Sequence, residues 1–169
     1  MPEEGVDERS FRREQRDFDA LFRAHYPEIV RYLTARLGSR DDASEVASEV
    51  FVEAWRRVPG LQWRGRPVRA WLYRVAANMA ADELKRRART VPLAAEAEAP
   101  DTTERVPDRV ALANALRTLP PEYQLVVHLR LVEGHPFAEV ARTMGKSVGA
   151  CQMLLLRASL EREGVHEHA

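Results

Sequence analysis

The chain is poor in cysteine, since Cys151 is the one thiol among its 169 residues. A single cysteine excludes an internal disulfide and a zinc site built from cysteines. Long apolar runs are also missing, because uncharged stretches such as Ser147 to Leu156 fall far short of the roughly 18–20 apolar residues that span a bilayer. The first residues, Met-Pro-Glu-Glu, lack the basic and then apolar start of a secretory signal. These absences together predict a cytoplasmic protein.

Net charge is lacking as well, because 26 Lys and Arg balance 26 Asp and Glu. A uniformly basic chain that coats nucleic acid is thereby excluded. The charges are nevertheless distributed unevenly along the chain. The segment from Asp41 to Glu53 holds five acidic residues and no Lys or Arg, whereas Ala54 to Thr90 holds ten basic residues and two acidic ones. The neutral total therefore conceals adjacent segments of net charge −5 and +8.

Catalytic and cofactor-binding patterns are absent from the sequence. The five histidines are scattered, and we find neither a glycine-rich phosphate loop nor a paired Ser/His arrangement. The sequence therefore predicts no enzyme, no cofactor and no metal site.

The acidic stretch from Pro92 to Glu104 has no large apolar residue after Leu93, which is typical of a linker. On both sides of it, apolar residues recur at intervals of three and four, as in amphipathic helices. The sequence therefore predicts an all-α protein of two small helical domains. Its segments are a disordered tail (1–16), a first domain (17–90), a linker (91–106), a second domain (107–164) and a short tail (165–169).

The first domain contains helices with distinct polar faces. Two short helices, separated at Pro27, are predicted up to Gly38. A helix over Asp42 to Arg57 carries an apolar stripe and, on a different face, Asp42, Glu45, Glu49 and Glu53. A long helix from Pro67 to about Arg89 follows. Its polar face carries Trp71, Arg74, Asn78, Asp82, Lys85 and Arg89.

The second domain contains the spacing of a helix-turn-helix. A helix that carries Leu125, Val126, Leu129 and Val132 is predicted up to Gly134. After it, Ala141, Gly145 and Cys151 supply the small contact residue, the turn glycine and the buried anchor that two touching helices need. Ser147 is placed to cap the second of these helices.

Four segments, taken together, resemble the extracytoplasmic-function sigma factors of bacterial RNA polymerase. They are Phe18 to Pro27, Asp42 to Trp55, Arg69 to Asn78, and Leu119 to Tyr123 followed by Glu133 to Ala141, and the match extends over about residues 17–163. The resemblance implies two helical domains, usually called regions two and four, joined by a flexible linker. It also implies a non-enzymatic protein that directs polymerase to promoters.

The resemblance further implies partners: the β′ clamp helices and β flap of core polymerase, promoter DNA and an anti-sigma factor. The polymerase-binding residues would be Asp42, Glu45, Glu49 and Glu53. The residues that bind and open the −10 element would be Trp63, Arg64, Arg66, Arg69, Arg74, Asn78, Lys85, Arg86, Arg87 and Arg89. Those that bind the −35 element would be Lys146, Ser147, Gln152, Met153, Leu156 and Arg157. Ser48 stands where the family often has glutamine, so the resemblance does not extend to the polar contact that this glutamine makes with polymerase.

The second domain leaves alternatives open. Its recognition helix carries an outward apolar row, Gly149, Met153, Leu156 and Leu160, and the segment from His135 onwards has no net charge. This row either meets thymine methyl groups or binds protein, such as an anti-sigma factor or the first domain. A stand-alone helix-turn-helix repressor is the remaining alternative, although such a protein has no need for the acidic face.

Overall fold

The computed structural model describes residues 8–57, 68–90 and 114–166, in which every regular element is helical. Its main helices are α1 (Glu8–Leu37), α2 (Arg40–Arg57), α3 (Val68–Thr90), α4 (Pro121–Val127), α5 (Phe137–Met144) and α6 (Val148–His166). A helical segment at 114–118 precedes α4, and a π-helical turn (His128–Val132) follows it. The predicted all-α class is confirmed, whereas the predicted linker over 91–106 lies outside the described residues. Over the described part of the chain, no helix is long and apolar enough to cross a membrane.

Helices α1, α2 and α3 pack around one apolar core. The predicted stripe of α2 is buried, and small residues such as Ala47 and Ala76 lie where the helices approach one another. Aromatic rings close one end of the bundle, where Phe22 lies edge-on to Phe51 at 5.1 Å between centroids. The buried apolar residues of the bundle are Ile29, Tyr32, Leu33, Leu37, Ala43, Val46, Ala47, Val50, Phe51, Ala54, Leu72, Tyr73, Ala76 and Ala80.

Helix α1 differs from the prediction in two respects: it continues through Pro27, and it begins before residue 17. It is one helix of 30 residues with Pro27 inside it, rather than two short helices. Burial of Ile29 and the packing of Tyr26 hold the backbone on either side of Pro27, which offsets the missing N–H. Residues 8–16 are helical and do not form the predicted disordered tail. The reason is that Arg, Glu and Gln are good helix formers and extend a nucleated helix at little cost.

Arg87 fastens α3 to the turn between α1 and α2. Gly38 makes this turn with a φ of 77°, and the Ser39 hydroxyl accepts the amide of Asp42 at 3.3 Å to cap α2. The Arg87 guanidinium donates to the Leu37 carbonyl at 3.0 Å and also pairs with Asp42 and Glu83. One side chain therefore joins the end of α1, the start of α2 and the last turns of α3.

The second unit has the predicted helix-turn-helix. Ala141 and Cys151 are buried between α5 and α6, and Gly145 makes the turn with a φ of 65°. The Ser147 hydroxyl accepts the amide of Ala150 at 3.1 Å, which is the predicted N-cap. The sequence prediction is confirmed here because the turn depends on local backbone requirements.

The helix that precedes the helix-turn-helix differs from the prediction at its C-terminal end. The chain widens into the π-helical turn, in which the amide of Glu133 donates to the His128 carbonyl at 2.9 Å. This change of period buries His128 and Leu129 together and leaves Val132 57% exposed. Val132, an apolar residue of the predicted helix, therefore lies outside the core.

The second unit packs against α1 and α3, so that both units share one core. His128 is 4% exposed and lies between Tyr32 and Tyr73, at centroid distances of 5.5 and 5.9 Å. Beside it, Arg31 donates two hydrogen bonds to Glu133, at 2.7 and 2.8 Å. Burial lowers the pKa of His128 to about 4, although the nearby carboxylates of Glu133 and Glu28 act in the opposite direction. His128 is therefore neutral in the folded protein at neutral pH.

We predict that Arg87→Ala destabilises the first unit by about 1–3 kcal/mol, because it leaves Asp42 and the Leu37 carbonyl without a donor. Chemical denaturation monitored by circular dichroism measures the change. Arg89→Ala is the matched control, because Arg89 is an exposed arginine near the end of the same helix. Equal stability of the two variants would contradict the role given to Arg87.

We also predict that His128 makes folding sensitive to acid. Its pKa of about 4 in the folded protein lies below the ordinary value of 6.5, so the unfolded chain binds more protons between these values. Stability is fully present above pH 6.5 and falls as the pH drops toward 4. By pH 4.5, protonation of His128 in the unfolded chain should lower the free energy of unfolding by on the order of 2 kcal/mol, and His128→Gln should remove this part of the loss. Urea titrations at pH 8 and pH 4.5 measure the difference, and an equal loss in both proteins would refute the assignment.

Candidate nucleic-acid and protein interfaces

A groove with acidic walls runs between α2 and α3. Its volume is about 280 Å³, and it is lined by Asp42, Glu45, Val46, Glu49, Met79, Asp82, Glu83 and Arg86. Glu45 and Glu49 are exposed, and neither has an ion-pair partner among the described residues. Asp82 is likewise exposed and has no ion-pair partner there, so the groove offers three unpaired carboxylates to a basic partner.

The other two residues of the predicted acidic face have partners within the molecule. Asp42 is bound by Arg87, as described above. Glu53 lies 3.2 Å from Arg57 and 3.6 Å from Arg56, one turn further along α2. The four carboxylates do share one side of α2, but the free charge is concentrated at Glu45 and Glu49.

Asp82 and Glu83 belong to the groove, which sequence reasoning missed. Helical spacing places Asp82 on the basic arc of α3 because it contains no information about the neighbouring helix α2. Glu83 pairs with Arg86 and Arg87, and these two guanidinium groups lower the pKa of the Glu83 carboxyl. The signal in the sequence was the break that Asp82 and Glu83 make in a run of basic residues.

Four exposed residues of the predicted arc of α3 are Arg74, Asn78, Lys85 and Arg89, and the exposed carboxylate of Asp82 lies among them. Within the described ranges, none of the four forms an ion pair or a side-chain hydrogen bond. They lie on one helix at spacings of four, seven and four residues, which keeps them on neighbouring parts of its surface. This arc has the cations and the amide needed to hold phosphates and a base edge.

Three other arginines of the predicted −10 set have protein partners. Arg86 donates to both carboxylate oxygens of Glu83, at 2.7 and 3.1 Å, and Arg87 forms the contacts that fasten α3. Arg69 donates to Glu28 at 3.1 Å and to Glu139 of the second unit at 3.5 Å. DNA contact by Arg69 or Arg87 would compete with these ion pairs.

Trp63, Arg64 and Arg66, the remaining members of the predicted −10 set, lie outside the described residues. Trp71 of α3 is only partly exposed, and Arg57 of α2 lies over its ring at 5.7 Å from the centroid. This cation–π contact joins α2 to α3 beside the exposed arc.

The buried carboxylate of Glu28 organises the side of α3 that faces the second unit. Glu28 is 6% exposed and accepts hydrogen bonds from Tyr73 at 2.9 Å and from Arg69. Burial alone would raise its pKa, but the neighbouring His25 ring, the hydrogen bond from Tyr73 and the charge of Arg69 together outweigh burial and lower it to about 2. Burial and the same carboxylate raise the pKa of Tyr73. Glu28 is therefore ionised and Tyr73 neutral.

The predicted −35 set lies at the start and on the outer side of α6. Lys146 pairs with Glu122 at 3.0 Å, and the Ser147 hydroxyl is used by the helix cap. The exposed members without such a partner are Gln152, Met153, Leu156 and Arg157.

The apolar row of α6 is not covered by the first unit. Met153, Leu156 and Leu160 are 49%, 52% and 56% exposed. The side of the second unit that faces α1 and α3 is formed instead by His128, Glu133 and α5. The alternative that the first domain covers this row does not hold in this structure.

Comparison with known proteins assigns each unit to a known protein family. Residues 21–90 match the family described as Sigma-70 region 2, and residues 109–160 match Sigma-70, region 4. The ECF RNA polymerase sigma factor SigL of Mycobacterium tuberculosis is 30% identical over 160 residues, which cover 86% of this chain and 90% of SigL. BldN of Streptomyces coelicolor, also an ECF sigma factor, is 35% identical over 150 residues, covering 83% of this chain but only 57% of BldN.

Solved structures show the same fold. CnrH, in complex with the cytosolic domain of CnrY, has a TM-score of 0.64 at 24% identity, covering 91% of this chain and 90% of CnrH. RpoE of Bartonella quintana, in complex with the anti-sigma factor NepR, has a TM-score of 0.65 at 18% identity, covering 89% of this chain and 97% of RpoE.

Proposed function

The chain belongs to the ECF sigma factors of the sigma-70 family, and we propose that its α2–α3 groove binds core RNA polymerase while α3 opens the −10 element. Members of this family direct promoter-specific initiation of transcription. The observation that carries the proposal is the placement of unpaired carboxylates in the groove and of unpaired cations on the arc of α3. Two surfaces of opposite charge on one bundle suit a protein that joins a basic protein partner to DNA.

The polymerase-binding part of the proposal rests on Glu45 and Glu49. Carboxylates that face solvent repel phosphate and attract basic side chains, so this surface suits the β′ clamp helices better than DNA. Asp42 and Glu53 contribute to the local potential while bound to arginines of the same unit.

The −10 part of the proposal rests on Arg74, Asn78, Lys85 and Arg89. Single-stranded DNA is held by cationic surfaces together with groups that contact the exposed bases. Asn78 is the one side chain of this arc that both donates and accepts hydrogen bonds, which suits a base edge. Trp63, Arg64 and Arg66, which precede α3 in the sequence, are proposed to contribute to the same function.

We propose that α6 reads the −35 duplex through Gln152 and Arg157, while Met153 and Leu156 contact thymine methyl groups. The second candidate is that the apolar row binds an anti-sigma factor. The half-exposed Met153, Leu156 and Leu160 favour it, as do the solved complexes of CnrH and RpoE. In either case the protein acts without catalysis, in the cytoplasm, where polymerase and promoters are found.

Run-off transcription with the purified chain and bacterial core RNA polymerase tests the proposed function. A sigma factor yields transcripts that start at a defined distance from its promoter. A stand-alone helix-turn-helix repressor yields none, and this result would refute the proposal.

Charge reversal in the groove tests polymerase binding. We predict that the double variant Glu45→Lys/Glu49→Lys lowers affinity for core polymerase by about tenfold or more, because it places cations against a basic partner. Fluorescence anisotropy of labelled protein titrated with polymerase measures the affinity. Asp41→Lys is the control, since Asp41 is exposed on α2 but does not line the groove. An equal effect of control and double variant would contradict the assignment.

Placing charged residues on the apolar row distinguishes the two candidate functions of α6, −35 recognition and anti-sigma binding. We predict that Met153→Glu/Leu156→Glu abolishes the dependence of transcription on the −35 element, because carboxylates are repelled by the DNA backbone. Run-off assays on promoters with and without that element measure the dependence. Leu131→Glu is the control, because Leu131 is 65% exposed in the same unit but lies outside α6. Unchanged −35 dependence in the double variant would favour anti-sigma binding.

A further inference from the structure

The N-terminal part of α1 extends beyond the bundle that it forms with α2 and α3. Phe18 of α1 lies edge-on to Trp55 at 5.1 Å between centroids, and α2 ends two residues later at Arg57. Because α1 begins at Glu8, residues 8–17 precede this contact, which corresponds to roughly 15 Å of helix. These residues form a helical arm that continues past the end of α2.

The solvent side of α1 carries a stripe of unpaired arginines that begins on the arm. Arg13, Arg16 and Arg23 are exposed, and none of them has an ion pair or a side-chain hydrogen bond within the described part of the chain. At 3.6 residues per turn the three fall within an arc of about 80°, on the side of the helix away from the bundle core. Asp17 and Asp19 are exposed at the two edges of this arc rather than within it. We call Arg13, Arg16 and Arg23 the arginine stripe.

Charge is separated along the first unit. The arm lies at the end of the bundle where α2 ends and α3 begins, since Arg57 contacts Trp71 there. The acidic groove lies toward the other end, where Asp42 pairs with Arg87 of the last turns of α3. In the sequence, residues 9–16 contain four arginines and one glutamate. The arm is therefore a basic element that is distant from the groove proposed to bind polymerase.

Other cations lie at the same end of the unit as the arm. Arg56 and Arg57, at the end of α2, share the one carboxylate of Glu53, so that this cluster retains a positive charge. Arg74 is exposed one turn after Trp71 on α3. Each cation that contacts a DNA phosphate releases counterions, so separate contacts add to the affinity. The arm and the proposed −10 surface thus present charge of the same sign at one end of the unit.

We propose that the arginine stripe of α1 binds the phosphate backbone of promoter DNA beside the −10 element. The proposal rests on the proposed function, because that function brings promoter DNA to this end of the unit. Arginines without a carboxylate partner are available to phosphates or to an acidic protein surface. DNA is favoured because the stripe lies at the end proposed to open the −10 element and away from the acidic groove. Contacts to phosphate add affinity without selecting a base sequence.

The salt dependence of promoter binding tests the stripe. Holoenzyme assembled from this chain and core polymerase is titrated with labelled promoter DNA from about 50 to about 200 mM salt. Arg13→Gln and Arg16→Gln should each reduce the slope of log K against log salt concentration by about 1, and the double variant by about 2. Glutamine is a good helix former, so the arm stays helical in these variants. Arg40→Gln is the matched control, because Arg40 is exposed at the opposite end of the unit, and it should leave the slope unchanged. An unchanged slope in the double variant would overturn the proposal.

Two further measurements separate failure of the stripe from failure of the proposed function. The double variant should bind core polymerase in the absence of DNA as tightly as the unaltered chain, and weaker binding there would assign the stripe to a protein partner and overturn the proposal. Its effect on the slope should persist when the −10 sequence is scrambled, because phosphates carry no sequence information. An effect confined to one −10 sequence would also overturn it. Failure of the unaltered holoenzyme to bind any promoter would refute the sigma function and the stripe with it.

Discussion

The buried carboxylate of Glu28 is the constraint on which the arrangement of this molecule depends. An ionised group at 6% exposure requires compensating donors, and these come from α3 as Tyr73 and Arg69. Meeting that requirement fixes the register of α3 against α1 and buries the Tyr73 ring. The same requirement directs Arg69 toward the second unit, where Glu139 shares it. One carboxylate thus positions the bundle, the neighbouring unit and a candidate DNA ligand.

Local patterns predicted the elements well, because a helix and a tight turn are specified by residues close in sequence. The apolar stripe of α2 and the Ala141–Gly145–Cys151 spacing were sufficient for this reason. The exceptions have equally physical causes. Helix α1 continues through Pro27 because of packing on both sides, and the π-helical turn displaces Val132 from the core by changing the helical period.

The candidate site was predicted less completely, because the availability of a charged side chain depends on partners distant in sequence. Arg31 and Glu133 are 102 positions apart, and Arg69 lies 41 positions from Glu28. No helical spacing contains that information. On a helical wheel Arg87 and Arg89 are equally plausible ligands for phosphate, yet only Arg87 has a carboxylate and a carbonyl within reach. The sequence predicts which residues share a surface, and the packing decides which of them remain free.

This division of the arginines also explains how a chain with 26 basic and 26 acidic residues can bind DNA. Charges that pair across helices, such as Arg87 with Asp42, stabilise the fold and cancel at long range. What a partner senses is the charge that remains unpaired: Glu45, Glu49 and Asp82 in the groove, and Arg74, Lys85 and Arg89 on the arc of α3. Arg69 lies between these classes, since its ion pair with Glu28 joins two helices of the first unit whereas its ion pair with Glu139 joins the two units. A conformational change that separates the units would therefore alter the charge presented to DNA without altering either bundle.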